Sequence, residues 1–246
     1  MGTPTRTAII AAMQQELAGV LAAVPGAQRQ RFGSHDVWLG RWHGHEVALA
    51  VSGIGKVAAA QAATLLAACC GARRVLLAGT AGALDAALDV GDVVVARAFV
   101  QHDMDASPLF PRFEVPLTGR SRFATDALLS YALAQAVRAV LPPHGAAAGA
   151  RRLHEGLVAS GDRFVAGSAE RAALKAALPD ALAAEMEGGA IAQVCCDFSV
   201  PFAALRVISD RADASASVDF GYFLEHVASS SILAVLDALL RTLPLA

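Results

Sequence analysis

The stretch Arg74-Val75-Leu76-Leu77-Ala78-Gly79-Thr80-Ala81-Gly82-Ala83 is an apolar run that ends in small residues. It predicts a buried strand, Arg74 to Ala78, that closes on the loop Gly79 to Ala83. The same arrangement recurs where other apolar runs end, at Ala11-Ala12-Met13, Ser52-Gly53, Ser160-Gly161-Asp162 and Ser209-Asp210. Ligands of open α/β sheets bind outside the carboxyl ends of the strands. We therefore expect these loops to share one rim around a ligand.

Predicted strands and helices alternate along the whole chain. Further strands are predicted at Thr7 to Ala11, Asp36 to Trp42, Glu46 to Val51, Asp92 to Phe99, His154 to Ala159, Ala181 to Glu185 and Phe202 to Ile208. Helices are predicted at Met13 to Ala23, Lys56 to Cys70, Arg122 to Val140, Ala169 to Ala177, Glu187 to Asp197 and Val218 to Leu240. The alternation, without a linker or an internal repeat, predicts a single three-layer α/β/α domain over residues 1–246. Its central mixed β-sheet is flanked by helices.

The composition excludes several classes of protein. With 246 residues, 55% of them apolar and 17% charged, the chain can bury a sizeable core and a pocket. A net charge of -2 without a dense Lys/Arg cluster argues against a nucleic-acid partner. No segment reaches the roughly 18 apolar residues of a spanning helix, and the apolar start is too short for a signal-peptide core. We predict a cytoplasmic protein with no membrane partner.

Three carboxylates lie where a core should be apolar. Glu187 belongs to Glu185-Met186-Glu187, Asp210 follows the buried run from Phe202, and Glu16 lies in the first turn of a predicted helix. Burying an ionised carboxyl without a partner is costly, so these positions indicate a pocket with a chemical task. Each also has a purely structural interpretation. An acidic side chain in the first turn of a helix is stabilised by the helix dipole, and one that follows a strand can cap a turn.

Other motif-like strings are weaker. Gly53-Ile54-Gly55-Lys56 lacks the spacing of a phosphate loop, and Gly79-Thr80-Ala81-Gly82 lacks the dinucleotide fingerprint. His102-Asp103-Met104-Asp105 could ligate a metal but has no second ligand cluster, so we interpret it as a hydrogen-bonded loop. The stretch Gln101 to Ser121 is interrupted by prolines and is predicted to be a long irregular loop, a type that is usually functional or mobile.

The chain resembles the bacterial 5′-methylthioadenosine/S-adenosylhomocysteine nucleosidases of the nucleoside phosphorylase superfamily. The resemblance covers nearly the whole chain and rests on motifs in the family's order: Ile10-Ala11-Ala12-Met13-Gln14-Gln15-Glu16, Ser52-Gly53-Ile54-Gly55-Lys56-Val57-Ala58-Ala59, Gly79-Thr80-Ala81-Gly82, Ser160-Gly161-Asp162-Arg163-Phe164-Val165, Glu185-Met186-Glu187 and Ile208-Ser209-Asp210. It implies a phosphorylase-like fold and hydrolysis of the N-glycosidic bond of a small-molecule purine nucleoside.

The resemblance also implies roles for single residues. Glu16 matches the general base that activates water, and Asp210 matches the general acid that protonates adenine at N7. Glu187 matches the carboxylate that binds the ribose hydroxyls. Around the acid and the water lie Arg206, Ser209 and Thr80. Because acid, base and water supply the chemistry, no metal and no cofactor is expected.

The remaining implied roles concern substrate binding. The matched positions are Met186 beneath the sugar, Phe164 stacked on adenine, Val165 with its backbone on the purine edge, Gly82 in the substrate loop, and Met13, Ile54 and Phe220 around the 5′-thioalkyl group. The chain departs from the family at Thr80, where serine is frequent, and along Ser107 to Leu117. In the family this loop reaches the thioalkyl pocket of the partner subunit. The candidates for this contact here are Leu109, Phe110, Phe113 and Pro116. A homodimer is expected.

Three alternatives stay open from the sequence. A nucleoside phosphorylase would need a cationic cradle for phosphate, yet Leu77-Ala78 precedes the Gly79 loop where related phosphorylases carry an arginine. A carboxylate at Glu16 would repel phosphate. The second alternative is a non-catalytic nucleoside-binding protein on the same scaffold. The third is a hydrolase for another 5′-substituent, such as aminodeoxyfutalosine.

Overall fold

A computed structural model describes residues 6–141, 151–212, 216, 220, 223 and 227–244. Within that part of the chain the helices are α1 (Gln14–Ala22), α2 (Lys56–Cys69), α3 (Ala127–Val140), α4 (Ser168–Ala177), α5 (Gly188–Asp197) and α6 (Ser229–Thr242). The strands are β1 (Arg6–Ala11), β2 (Gln28–Phe32), β3 (His35–Trp42), β4 (His45–Val51), β5 (Ala72–Ala83), β6 (Val93–Gln101), β7 (Arg122–Ala124), β8 (Leu153–Ser160), β9 (Ala181–Glu185) and β10 (Phe202–Asp210).

These strands form one mixed sheet in the order β2-β3-β4-β1-β5-β9-β8-β6-β10, with β7 beside β6. Strand β10 also pairs with β5, so β5, β9, β8, β6 and β10 close into a ring. Strands β1, β4, β5 and β10 run parallel to one another, whereas β9 is antiparallel to β5 and β6 is antiparallel to β10. Val75 to Ala78 of β5 are at most 1% exposed, as expected for a strand covered on both faces.

Helices cover the two faces of the sheet. On one face α1, α3 and α6 pack around a core that includes Leu17, Leu133 and Leu236. On the other face α2 and α5 contribute Leu66 and Ile191 to a second core. Burying one such side chain stabilises the fold by about 1.5–3 kcal/mol. The predicted arrangement of a mixed sheet between helices is confirmed, and the closed ring is an addition that the sequence did not reveal.

The loops predicted to share one rim follow strands of two opposite directions. Strands β6, β8 and β9 run opposite to β1, β4, β5 and β10. The carboxyl ends of the two groups nevertheless meet, because Gly82 and Ala83 at the end of β5 pair with Ala184 and Ala183 at the end of β9. The closure of the ring therefore brings together strand ends that a flat sheet of this topology would separate.

Several predicted boundaries also differ. Gly79 to Ala83 continues β5 instead of forming a loop, and β10 extends through Asp210. The predicted helix from Arg122 begins at Ala127, because Asp126 caps it by accepting a 2.7 Å hydrogen bond from the Leu129 amide. The segment before the cap forms β7. Strand β2 was not predicted, since its residues are almost all exposed and polar. The predicted C-terminal helix lies partly outside the described residues.

Candidate active site

A cavity of about 440 Å³ opens where the strand ends meet, a size within the range typical of small-molecule sites. Its lining consists of Ala12, Met13, Glu16, Ile54, Thr80, Ala81, Gly82, Phe164, Ala184, Glu185, Met186, Glu187, Ser209, Asp210 and Phe220. Every predicted site residue except Val165 and Arg206 is in this set. Val165 lines a small crevice that shares Phe164 and Asp210 with the cavity. Arg206 is fully buried beneath the floor.

Glu16 is held in the cavity by the start of α1 and by β5. Its Oε1 accepts hydrogen bonds from the Thr80 amide at 2.9 Å and the Thr80 hydroxyl at 3.0 Å. Its Oε2 accepts from the amides of Ala12 and Met13, both at 3.1 Å. Burial raises the pKa of Glu16 above its ordinary value, and the charge of Arg206 and the bonds from Thr80 and Met13 counter this. Glu16 is thus an oriented carboxylate with increased basicity.

Arg206 links the other acids. From the centre of β10 its guanidinium forms an ion pair with Glu185 and lies 3.5 Å from Glu187 Oε2. Glycine at position 79 allows this approach, because a Cβ there would lie 2.3 Å from Arg206 Nη1 and 2.9 Å from Glu16 Oε1. Gly79 therefore creates the space in which the arginine reaches the acids.

Glu187 lies at the start of α5 and faces the cavity. Its Oε1 accepts a 2.9 Å hydrogen bond from the Gly55 amide. Burial, followed by the nearby Glu185 charge, raises the pKa of Glu187 to about 7, against the opposing influence of Arg206 and the Gly55 amide. Near neutral pH this carboxyl is therefore present in both protonation states, and it can accept hydrogen bonds or donate one.

Asp210 is the last residue of β10 and lines the cavity. Ser209 Oγ donates to Asp210 Oδ2 and the Ala212 amide donates to Oδ1, both at 2.8 Å. A Cβ on Gly82 of β5 would lie 2.8 Å from Oδ1, so the glycine leaves room for this carboxyl. Asp210 is 1% exposed and fixed in orientation, a suitable arrangement for a single proton transfer.

The rest of the wall is apolar. Phe164 packs edge-on against Phe220 with ring centroids 5.8 Å apart, and Met13, Ile54 and Met186 complete the lining. Phe164 and Ile54 are 43% and 57% exposed, which places them at the mouth of the cavity. An aromatic ring beside an apolar channel suits a flat base with a thioalkyl or alkyl substituent.

Glu185 is the main residue whose role the sequence analysis missed. It accepts hydrogen bonds from Ser160 Oγ and from the amides of Glu187 and Gly188, in addition to its ion pair with Arg206. Its position in the acidic stretch with Glu187 was visible, but its side-chain partners Ser160 and Arg206 are distant in sequence. Glu185 neutralises Arg206 and orients the start of α5.

Negative charge therefore dominates this site. Glu16, Glu185, Glu187 and Asp210 line the cavity, and no Lys or Arg is among the lining residues in the part of the chain that the structure describes. Such a site favours a ligand on which positive charge develops and disfavours an anionic co-substrate. Among the described residues no group of three or more His, Cys, Asp or Glu side chains could hold a metal ion. In the same part of the chain no helix is long and apolar enough to cross a membrane.

Comparisons with known proteins agree with this geometry. The profile of the phosphorylase superfamily matches residues 6–241. The chain is 34% identical to 5′-methylthioadenosine/S-adenosylhomocysteine nucleosidase from Neisseria meningitidis in complex with methylthio-immucillin-A, with a TM-score of 0.89 over 97% of this chain and 100% of that one. S-adenosylhomocysteine nucleosidase from Streptococcus pyogenes, in complex with 5-methylthiotubericidin, is 33% identical (TM-score 0.88, 100% and 99% covered). Futalosine hydrolase of Helicobacter pylori is 31% identical (TM-score 0.87, 97% and 98% covered).

Proposed function

The chain belongs to the phosphorylase superfamily, and we propose that it hydrolyses the N-glycosidic bond of 5′-methylthioadenosine and S-adenosylhomocysteine. The products are adenine and the corresponding thioribose. One observation carries the proposal: a cavity of about 440 Å³ combines several carboxyl groups with an apolar wall, and its described lining residues include no Lys or Arg. This lining suits a neutral nucleoside that passes through a cationic sugar.

Water attack is assigned to Glu16. Its carboxylate accepts a proton from water while the oxygen bonds to the anomeric carbon of the sugar. Burial raises the pKa of Glu16, so it is a stronger base than an exposed glutamate. The Thr80 hydroxyl donates to Glu16 Oε1 at 3.0 Å and so helps to hold this carboxylate in place.

Departure of the base is assigned to Asp210. A proton passes from its carboxyl to N7 of adenine as the bond between N9 and the sugar breaks, so adenine leaves as a neutral molecule. Ser209, 2.8 Å from Asp210 Oδ2, holds the carboxyl in place. Arg206 acts from below by balancing the charge of Glu185 and Glu187.

Substrate binding is assigned to the remaining residues. Glu187 binds the ribose hydroxyls, and its negative charge also stabilises the oxocarbenium-like sugar. Phe164 stacks on adenine. The other proposed contacts are the Val165 backbone on the purine edge, Gly82 near the end of β5, Met186 beneath the sugar, and Met13, Ile54 and Phe220 around the 5′-thioalkyl group.

The decisive experiment measures kcat/KM for methylthioadenosine, adenosylhomocysteine, aminodeoxyfutalosine and inosine, with and without phosphate. We expect adenine release from the first two substrates, unchanged by phosphate, with free thioribose as the second product. Formation of a sugar 1-phosphate would instead identify a phosphorylase, and binding without turnover would identify a nucleoside-binding protein. Preference for aminodeoxyfutalosine would place the chain with its futalosine hydrolase relative.

We also propose a cytoplasmic homodimer that acts in methionine salvage as a single domain over residues 1–246. The exposed apolar side chains Ile54, Val57, Leu109 and Leu117 support an interface near the cavity mouth, since they are 57%, 71%, 84% and 90% exposed. Light scattering at micromolar protein should give twice the 25.2 kDa mass of the chain. A monomeric mass would contradict the dimer.

A further inference from the structure

A charged network outside the cavity joins the loops at its mouth. Lys56 Nζ lies 2.7 Å from Asp103 Oδ1 and 3.2 Å from Gln101 Oε1. Asp162 Oδ1 accepts a 2.6 Å hydrogen bond from the Lys56 amide, and the Asp162 amide donates at 2.9 Å to Asp103 Oδ2. The network thus connects three segments: the start of α2, the start of the proline-interrupted stretch Gln101 to Ser121, and the loop that carries Phe164.

The network member Lys56 directly follows Gly55, whose amide contacts Glu187 in the cavity. This glycine precedes α2 with φ 95°, in the left-handed region, and provides no side-chain cap for the helix. Instead, the Asp162 carboxylate caps the helix from another loop, by accepting a hydrogen bond from the Lys56 amide. Its negative charge also interacts favourably with the positive end of the helix dipole. The Asp162 contact leaves little room at Gly55, since a Cβ there would lie 3.0 Å from Asp162 Oδ1.

Glu187 lies closer to the Gly55 amide than to Arg206. The amide lies 2.9 Å from Glu187 Oε1, whereas the Arg206 guanidinium is 3.5 Å from Oε2. On the far side the loop is fixed to β1, because the amides of Ser52 and Gly53 donate to the carbonyls of Ala11 and Ala12. The orientation of the Gly55 amide therefore depends on the anchor that Asp162 provides at its other end.

We propose that Asp162 is a positioning residue for ribose recognition. It holds the start of α2 so that the Gly55 amide fixes the Glu187 carboxylate, and Asp103 and Lys56 hold Asp162 in turn. The inference rests on the proposed role of Glu187 in binding the ribose hydroxyls. The other charged groups that act on Glu187 are Glu185, Arg206 and Glu16. Of these, Glu185 also holds the loop that carries Asp162, since its carbonyl accepts a 3.0 Å hydrogen bond from the Gly161 amide.

The first test compares substrates that differ by one hydroxyl. Wild type, Asp162→Ala, Asp162→Asn and the control Asp180→Ala are assayed with methylthioadenosine and its 2′-deoxy counterpart. Asp180 is matched as a carboxylate in an exposed ion pair with Arg122, remote from the cavity. Asp162→Ala should lower the preference for the hydroxyl-bearing substrate by about three- to tenfold, mainly through KM, because the network is partly exposed. Asp162→Asn keeps an acceptor and should be intermediate, and the control should match wild type.

If Asp162 had a purely structural role, the substitution would lower kcat/KM equally for both substrates. An unchanged hydroxyl preference in Asp162→Ala therefore overturns the inference. Should Asp162→Ala fail to fold, Lys56→Met provides the same comparison, because it removes the bond to Asp103 and keeps the helix cap. A smaller loss of preference supports the proposal, and an unchanged preference in that variant overturns it.

A second test does not depend on turnover. Carbon-13 NMR titration of Glu187, assigned with Glu187→Gln, follows its pKa directly. Loss of the Gly55 hydrogen bond in Asp162→Ala should raise the pKa of Glu187 above the wild-type value, which is about 7. If wild type released no adenine, the proposed function would fail, and the titration alone would decide the inference. In that case an unchanged titration overturns it and an upward shift supports it.

Discussion

Asp210→Asn separates proton donation from structure. The side-chain amide introduced by this substitution would keep the shape of the carboxyl, and its oxygen can still accept from the Ala212 amide, which is 2.8 Å from Oδ1. Its NH₂ group can donate to Ser209 Oγ, whose own hydrogen can turn to the Ala81 carbonyl at 3.3 Å. Because these bonds survive, the loss of unfolding free energy should stay within about 1 kcal/mol. An amide cannot protonate adenine.

The expected loss in kcat is about 10²–10⁴-fold for removal of a general acid. This corresponds to about 2.7–5.4 kcal/mol of transition-state stabilisation. Adenine release from methylthioadenosine is measured beside urea unfolding of the same preparation. The control substrate is the O-linked 4-nitrophenyl riboside that carries a 5-methylthio group. Its leaving group, 4-nitrophenoxide, departs as a stable anion and needs no acid.

Asp210→Asn should retain most of its turnover on the nitrophenyl substrate while losing turnover on methylthioadenosine. Near-wild-type release of adenine by the variant would refute the assignment of Asp210 as the acid. Equal losses on both substrates would also contradict it, since they would show that the carboxylate acts mainly through charge or packing.

Three further predictions concern the base, the titration of the site and its packing. Glu16→Gln should lose about 10²–10⁴-fold in kcat on methylthioadenosine and on the nitrophenyl substrate alike, because both need activated water; retained turnover on either would contradict its role. The raised pKa of Glu187 means that the folded protein binds this proton more tightly than the unfolded chain, so unfolding free energy should fall as pH rises from about 4.5 to about 7. Glu187→Gln should flatten that slope in urea titrations, and an unchanged slope would contradict the shift. Gly79→Ala should destabilise the fold by about 1–3 kcal/mol and reduce turnover, because the new Cβ would lie 2.3 Å from Arg206 Nη1. Gly167→Ala is the control, since its Cβ would meet no atom within 4 Å, and equal effects of the two variants would refute the packing argument.

The sequence predicted most of the elements because apolar runs and small-residue loops are local signals. Most predicted site residues lie together because they lie near, or shortly after, the carboxyl end of a strand. The closure of β10 onto β5 could not be predicted, because either strand would be equally buried in an open sheet. Glu185 was not given a role, since its ion pair with Arg206 depends on that closure and its contact with Ser160 depends on the pairing of β8 with β9. Strand β2 lacks an apolar face and gave no signal.

The ring of strands has a consequence for synthesis of the protein. On one side β5 pairs with β1, which precedes it in the chain, but its other partners are β9 and β10, and residue Val75 pairs with Phe202. A nascent chain therefore carries β5 with one unpaired apolar edge until most of the protein has left the ribosome. Exposed edges of this kind bind other chains. Newly made copies thus depend on rapid arrival of the last strand, or on chaperones, to avoid aggregation.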